Sequence, residues 1–295
     1  MFYEYALEPT AISNWARARY FLDAFGPWKG RFLAEYPGRW RKMVYDALSC
    51  PDVERKRIVE RLAQMDRRAF SRRKGAVYDP RFGWLQNAQA EHQRRAFTAI
   101  IAHGCPSGAG HLLDAEEVDE TCPLWRVDPG AMVARDPSAV MQLVDLLLRT
   151  SARVVLVDPY FRADQADKSC MLAALCAAFP VRDLPVEVHT SDAKLSYAEQ
   201  ARHAARAFPS VLGPMAHVKL CCWQAREDGP RIHNRYLLTD VGGVKLGDSF
   251  ERGQTGQHDH LSILDEASRA RLWNEFAGPQ PAFHPAGPPV LYGGP

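Results

Sequence analysis

Residues 236–239 and 244–246 are two short apolar-rich runs, and between them stands the pair Gly242-Gly243. Runs of strand length on either side of a glycine pair read as a β-hairpin. This stretch constrains the fold most narrowly, because a strand sends alternate side chains to opposite faces and a tight turn locks two strands in one register. His233 and Arg235 are expected to share a face at the entry to the first strand, and Lys245, Gly247 and Ser249 to share one along the return strand. One hairpin would then gather an imidazole, a guanidinium, an ammonium, a hydroxyl and a glycine backbone, the groups needed to hold and attack a phosphate. The plainer account is a hairpin with an exposed polar end, since Asp-x-Gly-Gly is ordinary turn chemistry.

The spacing is more specific than the composition. His233-x-Arg235, four residues, Asp240, six residues and Gly247 resemble the His-x-Lys-x4-Asp-x6-Gly-Ser signature of the phospholipase D superfamily. Arg235 replaces the lysine, Asp248 stands in the serine place with Ser249 one position late, and Phe250 stands where asparagine is common. The resemblance implies a metal-independent phosphodiesterase with no cofactor, in which His233 attacks phosphorus to form a phosphohistidine. By the same resemblance Arg235 and Lys245 would stabilise the non-bridging oxygens, Asp240 would orient an imidazole, and Ser249 would donate a hydrogen bond. That mechanism needs two histidines and the chain carries one motif, which implies a homodimer with the site on its two-fold axis. His217-Val218-Lys219 lacks the following aspartate and reads as strand packing, while His258 and His260, in the loop expected after the motif, are alternative general acids.

From Pro137 onward the pattern alternates between helix and strand: a helix over 139–149, a strand over 154–157, a helix over 168–178, a strand over 186–190, a helix over 197–208 and a strand over 217–223. Such alternation predicts an α/β fold on a mostly parallel sheet, with the hairpin pairing antiparallel. This half resembles the phospholipase-D-like domain found at the C-terminus of certain MIT-domain proteins. Asp158-Pro159-Tyr160 after the first strand, Thr190 ending the second, Ile232-His-x-Arg and Lys245-Leu-Gly carry the likeness. In that variant the third motif position is often arginine, and some members bind phosphoinositides without cleaving them.

Residues 1–137 read as a mainly α-helical domain and 138–295 as the phospholipase-D-like α/β sandwich with a Pro/Gly-rich tail. Expected helices cover 14–25, capped by Ser13, then 28–48, 52–74 and 85–102. The third would turn Val53, Ile58, Leu62 and Met65 inward and present Arg55, Lys56, Arg57, Arg61, Arg67, Arg68, Arg72, Arg73 and Lys74 outward. Net charge is only +2, so this local excess, not the total, points to a polyanion, with nucleic acid the first choice. Seven cysteines without a CxxC pair read as buried thiols of a reducing compartment, and no apolar run is long enough to span a bilayer. No metal site is expected. These features together predict a cytoplasmic, metal-independent nuclease, with a protein partner as an added expectation and defence against mobile DNA as the role such a combination would suit. The alternative is a catalytically silent module that binds nucleic acid, phosphoinositide or protein.

Overall fold

The computed structural model describes residues 1–105, 110–180, 184–214, 216–247 and 250–293, and the chain divides into the compact units Phe2–Asp128 and Pro129–Pro295. The N-terminal unit contains β1 (Tyr3–Leu7), α1 (Trp15–Ala24), β2 (Arg31–Ala34), α2 (Trp40–Ala47), α3 (Asp52–Gln64), β3 (Phe70–Ser71), α4 (Trp84–Arg94), β4 (Ala99–Ala102) and β5 (Leu112–Asp114). All the paired neighbours run parallel, in the order β3-β2-β1-β4-β5. Tyr5 and Leu7 join the core made with α1, α2 and α3, whereas Ala6, Ile100 and Ala102 pack with Trp84 and Ala88 of α4.

This corrects the expectation of a mainly α-helical N-terminal domain: the unit is α/β, wound on both faces of a sheet. Its longest strands are buried almost throughout, so they lack the polar alternation that marks a strand in sequence. The expected helix over 28–48 contains β2, and the one over 85–102 ends early and is followed by β4. Asn14, not Ser13, caps α1, accepting the Arg17 N–H at 3.0 Å. The basic stretch 52–74 is α3, a short 3-10 turn and β3, and Val53 is 65% exposed instead of inward.

The C-terminal unit contains β6 (Gly130–Ala134), α5 (Pro137–Thr150), β7 (Val154–Val157), α6 (Ala166–Ala178), β8 (Val186–Ser191), α7 (Tyr197–Val211), β9 (Val218–Gln224), β10 (Arg235–Thr239), β11 (Gly243–Leu246), β12 (His258–Ile263), α8 (Glu266–Ala277), β13 (His284–Pro285) and β14 (Val290–Tyr292). Strands β7, β8 and β9 are parallel, while β10 pairs antiparallel with β7 and begins an antiparallel run through β11, β12 and β6. Leu272 and Phe276 of α8 cover Val155, Val157 and Leu238 on one face. On the other, Val140 of α5 and Met171 of α6 lie beside Leu246 and Leu261. The alternation expected after Pro137 is therefore present, with helices on both faces of a mixed sheet.

Two stretches differ from expectation. Residues 130–134, for which no element was expected, form β6, and His258 and His260 lie on β12, not in a loop. The Pro/Gly-rich tail supplies β13 and β14, which both pair with β9. Because proline is tolerated on sheet edges, such a tail blunts the edge of β9 against other chains. Among the described residues, no helix is long and apolar enough to cross a membrane.

Candidate functional site

β7 and β8 run parallel and end at Val157 and Ser191, and α6 and α7 follow them. β10 runs the other way, with Tyr236 opposite Val157, so Arg235 enters the sheet at that same end. In wound α/β sheets the crevice beyond the carboxyl ends of parallel strands is the usual ligand site. Here it is a cavity of about 410 Å³ lined by Arg135, Arg162, Lys168, Lys194 and Arg235, with Tyr160, Ser191, Gln200 and Glu251 among its walls.

The charges are held in a connected network. Asp158 is fully buried; its Oδ1 accepts the Tyr160 N–H at 2.9 Å, and its Oδ2 accepts from Lys168 Nζ at 3.2 Å. Arg235 Nε lies 3.7 Å from Asp158 Oδ1, and its guanidinium stands 4.8 Å over the Tyr160 ring. Glu251 pairs with Arg135 and lies 3.7 Å from Lys168 Nζ. At the rim Arg162 binds Asp164 through two bonds of 3.1 and 2.7 Å, and His203 Nδ1 lies 3.7 Å from the same carboxylate. The Nε atoms of Arg135 and Arg235 are buried without a hydrogen-bond partner.

Of the described residues expected in a catalytic hairpin, Arg235 alone is on the cavity wall. His233 is exposed, two residues before β10, and is not among the lining residues. Asp240 lies past the other end of β10; seven extended residues place it on the order of 20 Å from His233, so it does not orient that imidazole. Its Oδ1 instead accepts the backbone N–H groups of Ala152 and Arg153, each at 2.9 Å. Lys245 lies opposite Tyr236 and Arg235 opposite Leu246, so the ammonium projects from the face opposite to the guanidinium. Lys245 is also exposed, and it leaves the expected cluster for that reason. Asp248 and Ser249 lie outside the described residues. Gly247 is explained by packing: a Cβ there would come within 1.8 Å of Asp259 Oδ1.

The basic segment also divides. Arg73 is buried, bonded to Glu4 and to Glu91, with its guanidinium 3.5 Å over the Phe97 ring. It is therefore a core residue and is removed from the expected nucleic-acid face. Arg61 binds Asp23 at 2.5 Å and Arg68 binds Asp66 at 2.6 Å, both half-buried. Arg55, Lys56, Arg57, Arg67, Arg72 and Lys74 are exposed.

Sequence reasoning missed Arg135, Arg162, Lys168, Lys194, Gln200 and Glu251 as cavity residues. Lys168 carried a readable signal, since it stands in the first turn of the helix that follows Asp158-Pro-Tyr. Arg135 lies in a stretch whose sequence gives no element. Of the seven cysteines expected to be buried, Cys105, Cys176, Cys221 and Cys222 are, while Cys50, Cys122 and Cys170 are half-buried; burial pushes Cys221 up to about 11 and Cys222 to about 12.

No family model, curated protein or solved structure matches this chain.

Proposed function

We propose that the C-terminal unit is a phospholipase-D-like module that recognises a phosphoryl group in the cavity at the ends of β7 and β8. The observation that carries this reading is Arg235 of the His-x-Arg pair, on the cavity wall beside Asp158 of Asp-Pro-Tyr and among four further cations. Guanidinium and ammonium donors make strong charge-assisted bonds to phosphate oxygens, and they are worth more in a cavity than on an open face. The exposed cations Arg55, Lys56, Arg57, Arg67, Arg72 and Lys74 favour nucleic acid as the bearer of that phosphate. The test is binding of labelled DNA and RNA by wild type and Arg235→Ala. A loss on the order of tenfold is expected for removing one charge-assisted donor, and undiminished affinity would remove the cavity from the proposal. Neutralising the six exposed cations should lower affinity and flatten its salt dependence; unchanged binding of DNA and RNA would end that assignment.

A second reading, metal-independent phosphodiester hydrolysis, is favoured by the exposed imidazole of His233 two residues before Arg235. In it His233 attacks phosphorus, the bond to the leaving oxygen breaks, and a second imidazole protonates that oxygen; water then cleaves the N–P bond. A second copy of the chain is the proposed source of that imidazole. Cleavage of DNA or RNA in EDTA that disappears in His233→Ala supports this reading. Binding without cleavage in both proteins supports recognition alone.

A further inference from the structure

The cavity holds more positive charge than a phosphodiester needs. Five cationic side chains line it, and the carboxylates in ion-pair reach of them are Asp158, Asp164 and Glu251. Among the described residues the excess is two charges. A phosphodiester carries one negative charge, whereas a phosphomonoester carries about −1.5 to −2 at neutral pH and offers three terminal oxygens.

We propose that this cavity selects a phosphomonoester, the terminal phosphate of a nucleic-acid strand, over the phosphodiesters within the strand. The proposal rests on the reading of the cavity as a phosphoryl-binding site and names the class of phosphate it takes. Three further observations agree with it. The volume of about 410 Å³ is enough for one nucleotide-sized group. Lys194, at the rim, is exposed and has no ion pair among the described residues. Finally, the N-terminus of α6 opens at the cavity, where its N-cap residue Gln165 makes no capping bond with its side chain. The positive end of a helix dipole attracts a doubly charged anion more than a singly charged one. A lipid headgroup carries the same monoester chemistry, but none of the large exposed apolar side chains among the described residues lines the cavity. A membrane-docking site ordinarily rims its headgroup pocket with such side chains.

The test compares one short single-stranded oligonucleotide bearing a 5′-phosphate, a 3′-phosphate or hydroxyls at both ends. Binding to the full chain is measured in EDTA by anisotropy, with Lys194→Ala and Arg235→Ala alongside. Tighter binding of a phosphate-ended strand, on the order of tenfold, is expected, along with loss of that preference in Lys194→Ala and competition by inorganic phosphate. Lys194 is exposed, so its replacement leaves the fold intact. Equal binding of all three strands, weakened in both variants, would overturn monoester selection while leaving phosphoryl recognition in place. Equal binding untouched by either variant would overturn both. Capture by vesicles containing a phosphatidylinositol monophosphate, without discrimination among the oligonucleotides, would overturn the nucleic-acid end in favour of a lipid headgroup.

Discussion

Asp240 occupies a motif position by spacing, yet its Oδ1 accepts the N–H groups of Ala152 and Arg153 in the turn that feeds β7. Its work is therefore on the backbone at the end of β10 away from the cavity. Asp240→Ala should lower stability by roughly 1–3 kcal/mol, the net worth of two hydrogen bonds whose donors water can then reach, as read from urea unfolding. Phosphate-dependent binding by the folded variant should be unchanged. Lost binding at undiminished stability would instead return Asp240 to the site. Gly247 shows the same separation of spacing from role, since the Asp259 carboxylate occupies the volume a Cβ would need. A motif read along one strand locates residues but does not say which end of the strand meets a ligand.

At the scale of elements, alternation along each strand of the hairpin was legible, and so was its glycine turn. What the spacing could not convey was the pairing of Arg235 with Leu246, which sends Lys245 to the α8 face. The alternating elements after Pro137 were legible because helices long enough to show an apolar stripe separate the strands. The N-terminal sheet was not, because strands such as Ala99–Ala102 are buried on both faces and their residues suit a helix as well. Pairing across strands also creates a pH dependence that spacing hides. His189 on β8 accepts the Trp223 Nε1–H from β9 at 2.9 Å and is fully buried, so burial holds its pKa below 6.5 despite the neighbouring Glu187 carboxylate. Arg153 and Lys219 face the same carboxylate, and with His189 they hold Glu187 below the usual range against the opposing effect of burial. The unfolded chain takes up a proton at His189 near pH 6.5 and the native chain does not. Unfolding thus binds protons, and stability falls as pH drops below that value, by up to about 1.4 kcal/mol per unit for one such group. Urea unfolding at pH 7.5 and 5.5, the latter still above the usual carboxylate range, should show the decline. His189→Gln should reduce it; an unreduced slope would place its origin elsewhere, for instance at His92, which burial and His111 also hold low.

For the whole molecule, the place where one unit ends decides what the other can do. The sequence pattern, which alternates between helix and strand from Pro137 onward, puts the boundary at 137/138. The contacts put it between Asp128 and Pro129, because β6 adds to β12 and closes that end of the described sheet. The difference is only a few residues, but they include Val133, which is buried, and Arg135, which lines the cavity and pairs with Glu251. A fragment beginning at residue 129 should unfold in urea as one cooperative transition. A fragment beginning at residue 138 should be less stable by at least about 2 kcal/mol, since it bares the edge of β12 and leaves Glu251 without its arginine. It should also bind phosphate-ended strands more weakly. Arg135→Ala in the full chain separates the two losses: it should reproduce the weakened binding while keeping most of the stability that β6 supplies. Equal stability of the two fragments would mean that β6 contributes nothing to the C-terminal sheet, and the boundary would return to 137/138.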